Sequence, residues 1–162
     1  MTTLWRLSNR DALIGTAPLA SRWTHAGAPV IVLDASPVAA LLARLALVEV
    51  RRPDGLPQGY RLLEVQVPAR CIATPEPPRF WQHDLGVTRA FGRKWLEQGP
   101  LLLRVPTMTG APQFLLNCTH SDLSMCEIKE GEGHPFLGVL GAVESALTAG
   151  SDWLSHSQAS EP

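Results

Sequence analysis

The sequence predicts an α+β domain with a buried central helix. Three observations predict it. Short apolar segments of strand type outnumber helical ones, and the two kinds do not alternate regularly. From Val38 to Val48 only Arg44 is polar, the pattern of a helix buried on most sides. The 162 residues are about one domain's worth, enough to bury a core without disulfides or metals.

The elements follow in order. Leu4-Trp5-Arg6-Leu7 reads as a short strand with one arginine among large apolar residues. A loop from Ser8 to Ala20 contains Gly15 and Pro18, and a second loop runs from Ser21 to Pro29. Val30 to Asp34 is a strand of four apolar residues closed by an acid. The buried helix opens at Ser36-Pro37. Serine caps by accepting a bond from a free N–H, and proline at the first position has no N–H to leave unpaired.

Arg51 to Gly55 is a turn, because Pro-Asp-Gly supplies a fixed φ and then a positive one. Tyr60 to Val67 alternates Leu63, Val65 and Val67 with Glu64 and Gln66, the period of a strand. The proline-rich stretch from Pro68 to Pro78 is a surface loop. A second helix spans Gly86 to Gln98, with Phe91 and Trp95 on one face and Gly99-Pro100 ending it. Strands are expected at Leu101–Val105, Phe114–Leu116 and Met125–Ile128, with a turn over 106–112. Gly131 to Gly133 reads as a flexible break. Beyond it, Pro135–Ala149 has the spacing of an amphipathic helix and 155–162 that of a disordered tail. Residues 1–130 are thus expected to form the domain and 131–162 a C-terminal extension.

Composition narrows the function classes. Charged residues are 18% of the chain and hydrophobic ones 45%. That charge share is below the usual level of roughly 25%, which reserves surface for a protein partner or a second copy. The net charge is −1 and no basic run occurs, so nucleic acid is not an expected partner. No signal peptide or membrane span is visible. Cys71, Cys118 and Cys126 form an odd, scattered set, read as reduced thiols of a cytoplasmic protein.

No phosphate-binding glycine loop, zinc-protease helix or nucleophile-elbow motif occurs. His25, His83, His120, His134 and His156 have no metal-ligand spacing, so no metal is expected. His120 beside Cys118 reads as a polar loop, because two residues apart is poor geometry for a catalytic pair. Arg6 follows Trp5, and Arg22 precedes Trp23. One reading is a surface arginine stacked on its own tryptophan. The other is a pair of guanidinium forks gripping a diphosphate or carboxylate.

Five segments in order carry a resemblance. They are Leu4-Trp5-Arg6-Leu7; Ser21-Arg22-Trp23-Thr24 with Gly27-Ala28-Pro29-Val30; and Ser36-Pro37-Val38-Ala39-Ala40-Leu41-Leu42. Next comes Ala90-Phe91-Gly92-Arg93-Lys94-Trp95-Leu96, running into Leu102-Leu103-Arg104-Val105-Pro106-Thr107, and last Phe114-Leu115-Leu116-Asn117 with His120. Over about residues 3 to 130 the chain resembles the RES domain family, named for its arginine, glutamate and serine. The resemblance implies a compact α+β fold similar to ADP-ribosyltransferase toxins, a mixed sheet with a buried central helix. It also implies a toxin of a bacterial toxin–antitoxin pair that destroys NAD⁺ by hydrolysis or phosphorolysis, with a helix-turn-helix antitoxin blocking the site.

Carried over by position, Arg6 and Arg22 match the two family arginines that bind the dinucleotide. Asn117 matches an asparagine of the last motif, and Thr107 stands where the family serine is expected. Two positions depart. Leu33 stands where the family has a tyrosine, and Ala43 where it has the glutamate.

The second departure bears on chemistry. Breaking the nicotinamide–ribose bond builds positive charge on the ribose, which a nearby carboxylate stabilises. Losing one preorganised electrostatic group of this kind costs on the order of 3 kcal/mol. Threonine for serine keeps a hydroxyl, whereas alanine for glutamate keeps nothing. Glu49 lies roughly 240° around the helix from Ala43 and about 9 Å along it. Asp34 points away from Leu33, since neighbours on a strand face opposite ways. Glu64 is on another strand.

Two functions from different classes follow. One is an enzyme that degrades NAD⁺, slowed by Ala43, with Arg6 and Arg22 on the diphosphate and Thr107 and Asn117 orienting a ribose or nucleophile. The alternative is a catalytically inactive RES-like domain that binds a nucleotide or a protein partner. Two arginines facing one cleft would favour a retained pocket under either.

Overall fold

The computed structural model describes residues 1–17, 19–48 and 59–133. The turn expected at 51–55, the helix at 135–149 and the tail at 155–162 lie outside the described residues.

The strands are β1 (Thr2–Ser8), β2 (Val30–Asp34), β3 (Arg61–Val67), β4 (Ile72–Ala73), β5 (Leu102–Val105), β6 (Gln113–Asn117) and β7 (Glu127–Gly133). They form one seven-stranded sheet in the order β4-β5-β6-β2-β1-β3-β7. The pairing of β4 with β5 is parallel and the remaining pairs are antiparallel, so the sheet is mixed as expected. Among the described residues two helices, α1 (Pro37–Val48) and α2 (Leu85–Gln98), accompany the sheet in an α+β fold.

Alternation along the strands sends apolar side chains to both faces. Leu102 and Leu116 sit opposite each other in a core with Leu4, Leu33, Val65 and Val67. Their neighbours Leu103 and Leu115 join Trp23, Val30, Val105 and Trp95 in a second core. Trp95 and the partly buried Phe91 and Leu96 bring α2 onto this second core, the shared face that the spacing of Phe91 and Trp95 predicts. Asp84 caps α2, its Oδ1 accepting from the Val87 amide at 3.0 Å.

Ser36 caps α1 as expected, its Oγ accepting from the Ala39 amide at 3.1 Å. The helix touches β1 and β2. Ala40 and Leu41 are buried, but Val38 is 53% exposed and Leu42 50%. Over these residues burial is confined to one face rather than most sides. A helix laid on a sheet contacts that layer along one stripe only.

Three local readings are corrected. The stretch 68–78 is not all loop: a 3₁₀ turn at Ala69–Cys71 leads into β4. Met125 belongs to a 3₁₀ turn, Ser121–Met125, with His120 as its cap. Gly131 to Gly133 is paired strand, with Gly133 opposite Arg61. Backbone pairing along the β3 edge holds this polar, glycine-bearing segment without an apolar period.

Candidate functional site

The site begins at an interruption in the sheet. Strand β1 pairs with β3 along its whole length, and β2 with β6 along its whole length. Between β1 and β2 the register holds one pair, Trp5 opposite Asp34. Continued regularly, it would set Leu7 opposite Val32. Instead Arg6 reaches across, and its Nη1 donates to the Val32 carbonyl at 3.0 Å. A side chain thus satisfies an acceptor that a regular ladder would give to backbone.

A cavity of about 500 Å³ opens where the strands part. Its walls include Arg6 and Leu7 from β1, and Val30, Val32 and Asp34 from β2. Ala40 and Ala43 of α1, Gln113 of β6, and Ser21 and Thr24 of the preceding loop also line it. A second cavity, of about 690 Å³, shares Asp34, Ala43 and Gln113 with the first and adds Leu42, Thr107 and Thr109. The two meet at those shared residues and form one cleft.

The loop wall is built by local hydrogen bonds. Ser21 Oγ accepts from the amides of Trp23 and Thr24, both at 3.1 Å, folding Ser21–Thr24 into a tight turn. Helix α2 fixes this turn from behind. Thr88 Oγ1 donates to the Arg22 carbonyl at 2.6 Å, and Arg89 Nε donates to the Ser21 carbonyl at 3.0 Å. Gly92 faces the Trp23 backbone so closely that a Cβ there would overlap the carbonyl oxygen. That contact explains a glycine in mid-helix, where alanine is otherwise the better helix former.

The expected site residues fall in different places. Arg6 lines the cleft, half-buried, and its Nε is buried with no hydrogen-bond partner among the described residues. Arg22 lines neither cavity, although Ser21 beside it does, so the two arginines do not face one cleft; its Nη1 donates to the Trp81 carbonyl at 2.8 Å. Its neighbour Trp23 is buried and stacks on Trp81, with ring centroids 5.8 Å apart. Thr107 lines the second cavity, and its hydroxyl donates to the Ala111 carbonyl at 2.6 Å. Asn117 is buried outside both linings. Its Nδ2 donates to the Leu96 carbonyl at 3.3 Å, and its Oδ1 accepts from the Thr119 amide at 3.0 Å.

Leu33 is 0% exposed and packs in the first core, away from the cleft. Its neighbours Val32 and Asp34 line the cleft instead. Ala43 lines both cavities. Glu64 lines neither. It accepts from Gln66 Nε2 and pairs with Lys129 at 3.2 Å, bonds that hold its carboxyl below the usual range.

Gln113 is a cleft residue that sequence reasoning missed, and Asp34 is one that it weighed and set aside. They face each other across β2 and β6, and Gln113 Nε2 donates to Asp34 Oδ1 at 3.1 Å. The available signal was the alternation Val30, Val32, Asp34, which puts the acid opposite in sense to Leu33. Burial pushes the Asp34 carboxyl above its ordinary value, while the Gln113 bond and the Arg6 charge draw it back. Burial lowers Arg6 while Cys118 and Asp34 raise it, and a guanidinium stays charged under such pressure. Burial also pushes the Cys118 thiol up, so it stays a thiol rather than a nucleophilic thiolate. Among the described residues, no group of three or more His, Cys, Asp or Glu side chains is placed to hold a metal ion. No helix among them is long and apolar enough to cross a membrane.

A mixed sheet that parts beside a helix, with Arg6 and Asp34 both lining the opening, defines an α+β domain with a cleft. The RES domain family model matches residues 3–136, and the chain belongs to the RES domain family. Among solved structures, it is similar to the crystal structure of the M. tuberculosis MbcT–MbcA toxin–antitoxin complex, with a TM-score of 0.60 and 17% identity. The match covers 84% of this chain and 86% of that one, and it carries the fold. No curated protein matches the chain.

Proposed function

We propose that this chain is a toxin that binds NAD⁺ in the cleft and cleaves its nicotinamide–ribose bond, by hydrolysis or phosphorolysis. Family membership supports the reading, and one observation carries it: Arg6 brings a permanent, partly buried charge to the cleft. A guanidinium in such a place calls for an anion, and a diphosphate supplies one. Arg22 retains further donors beyond the one given to Trp81, enough for a second contact at the rim. Thr107 and Asn117 are assigned to orienting a ribose or the nucleophile, with Asn117 acting through the turn it holds. In the cytoplasm, a helix-turn-helix antitoxin would cover the same opening.

Ala43 favours a second reading, a domain that binds the nucleotide and leaves it intact. Titrating the purified protein with NAD⁺ by calorimetry and following NAD⁺ loss, with and without phosphate, separates the two. The first reading expects saturable binding and turnover slower than that of glutamate-bearing relatives, with Arg6→Gln weakening binding about tenfold or more, the scale of a charge-assisted bond. Binding without turnover selects the second. Absence of binding by the intact protein rejects both.

A further inference from the structure

We propose that Asp34 is the acid of this cleft, supplying from the end of β2 the carboxylate that Ala43 on α1 does not. The inference rests on NAD⁺ cleavage as proposed above and names the group that makes such cleavage workable here.

The chemistry sets the requirement. When the carbon–nitrogen bond breaks, nicotinamide leaves with the bonding pair and positive charge develops at the ribose carbon. A water or phosphate oxygen then bonds to that carbon, and with water a proton passes to solvent. No oxidant or reductant enters. The protein must place negative charge beside the ribose and hold it away from bulk water.

Asp34 meets this requirement on several independent counts. Among the described residues it is the one acid lining either cavity, and it lines both, as Ala43 does. It is 7% exposed. Its position at the single registered pair of β1 and β2 puts it where the strands begin to part. Gln113 holds one carboxylate oxygen, Oδ1, and among the described residues Oδ2 has no hydrogen-bond partner. The Arg6 charge shares the cleft. A diphosphate at Arg6 and a ribose at Asp34 therefore fit the two ends of one ligand.

The alanine at 43 then has a physical reason. Two carboxylates in one buried site cannot both ionise readily, because each raises the pKa of the other. With Asp34 in place, a small neutral residue at 43 keeps the acid ionised and leaves space for the ribose. The glutamate position and Asp34 are alternatives for one charge.

The test uses the full chain in four forms: unmodified, Asp34→Asn, Ala43→Glu, and both together. NAD⁺ binding by calorimetry and the kcat and KM of NAD⁺ loss are measured for each. Asp34→Asn is expected to lower kcat about 100-fold or more, the usual size for one preorganised group, with binding within about threefold. The double variant should recover to within about tenfold of the unmodified protein, because a carboxylate has returned. Recovery also separates lost chemistry from lost folding, as does a melting curve for Asp34→Asn. Unchanged kcat in Asp34→Asn overturns the role of Asp34 and leaves NAD⁺ cleavage standing. An unmodified protein that binds but turns over only once Ala43→Glu is made overturns the role of Asp34 and selects the reading in which the chain binds the nucleotide and leaves it intact. No turnover by any form overturns the cleavage reading and this inference together.

Discussion

Replacing Gly92 by alanine sets two rules against each other. Helix propensity favours the change by about 1 kcal/mol, since glycine in mid-helix is among the poorest choices. The structure opposes it. A Cβ on Gly92 would overlap the Trp23 carbonyl oxygen and lie 3.0 Å from its carbon. This neighbour is backbone, so it cannot rotate aside. Relief requires α2 to move from the Ser21–Thr24 turn, which costs about 1–3 kcal/mol as overpacking does elsewhere. The movement also strains the 2.6 Å bond from Thr88 to the Arg22 carbonyl, worth about 1 kcal/mol. The balance is a loss of about 1–3 kcal/mol, or roughly 3–10 °C in Tm for a chain of this size. Thermal unfolding of the purified variant reads it, with exposed Arg93→Ala as a control that stays within about 0.5 kcal/mol. A variant melting at or above the parent would refute the close approach and the placement of the turn.

Three further outcomes are expected. Thr88→Val should lower stability by about 1–2 kcal/mol in denaturant titration, because a buried carbonyl loses its donor, and Thr88→Ser should restore most of it. Asp84→Ala should lower stability by about 1 kcal/mol through loss of the α2 cap, without changing NAD⁺ binding. Asp34 is raised in the folded state above its ordinary 3.8, so between that value and its native one the folded chain holds more protons than the unfolded chain. Stability therefore falls as pH rises through that window. Asp34→Asn should flatten this part of the stability–pH curve, and an identical slope in both proteins would contradict the assignment.

Much of the fold was legible because its signals were local. Gly99 and the Phe91–Trp95 spacing place α2, and Ser36-Pro37 opens α1. Strand β2 announces itself by an unbroken apolar run. Strand β4 does not, since two residues in parallel pairing carry no period of their own. Strand β7 is Glu-Ile-Lys-Glu-Gly-Glu-Gly, a sequence whose strand conformation comes from β3 and not from its side chains. The cleft was legible in part. Arg6 stands out as a lone cation among large apolar residues. Nothing local says that β1 and β2 part after one pair, and that parting decides which residues face the opening. Leu33 turns inward and Asp34 outward as strand alternation requires, yet the sequence cannot say which side is hollow. Arg22 and Asn117 find backbone acceptors on distant segments, Trp81 and Leu96, which no spacing rule anticipates.

The single registered pair between β1 and β2 divides the sheet into two leaves, β4-β5-β6-β2 and β1-β3-β7. Each leaf is laced along its length, whereas the seam is fastened by Trp5–Asp34, the Arg6 bond to Val32, and α1 lying across both strands. Local opening follows the weakest line, so the amide of Val32 should exchange ahead of those inside β6, and Leu7 ahead of those inside β3. The cleft occupies this same line. A molecule held by Arg6 on one leaf and Asp34 on the other acts as a rivet, adding its affinity to the cohesion of the sheet. Occupancy would then be written in the slowed exchange of the seam, far more than in the middle of either leaf.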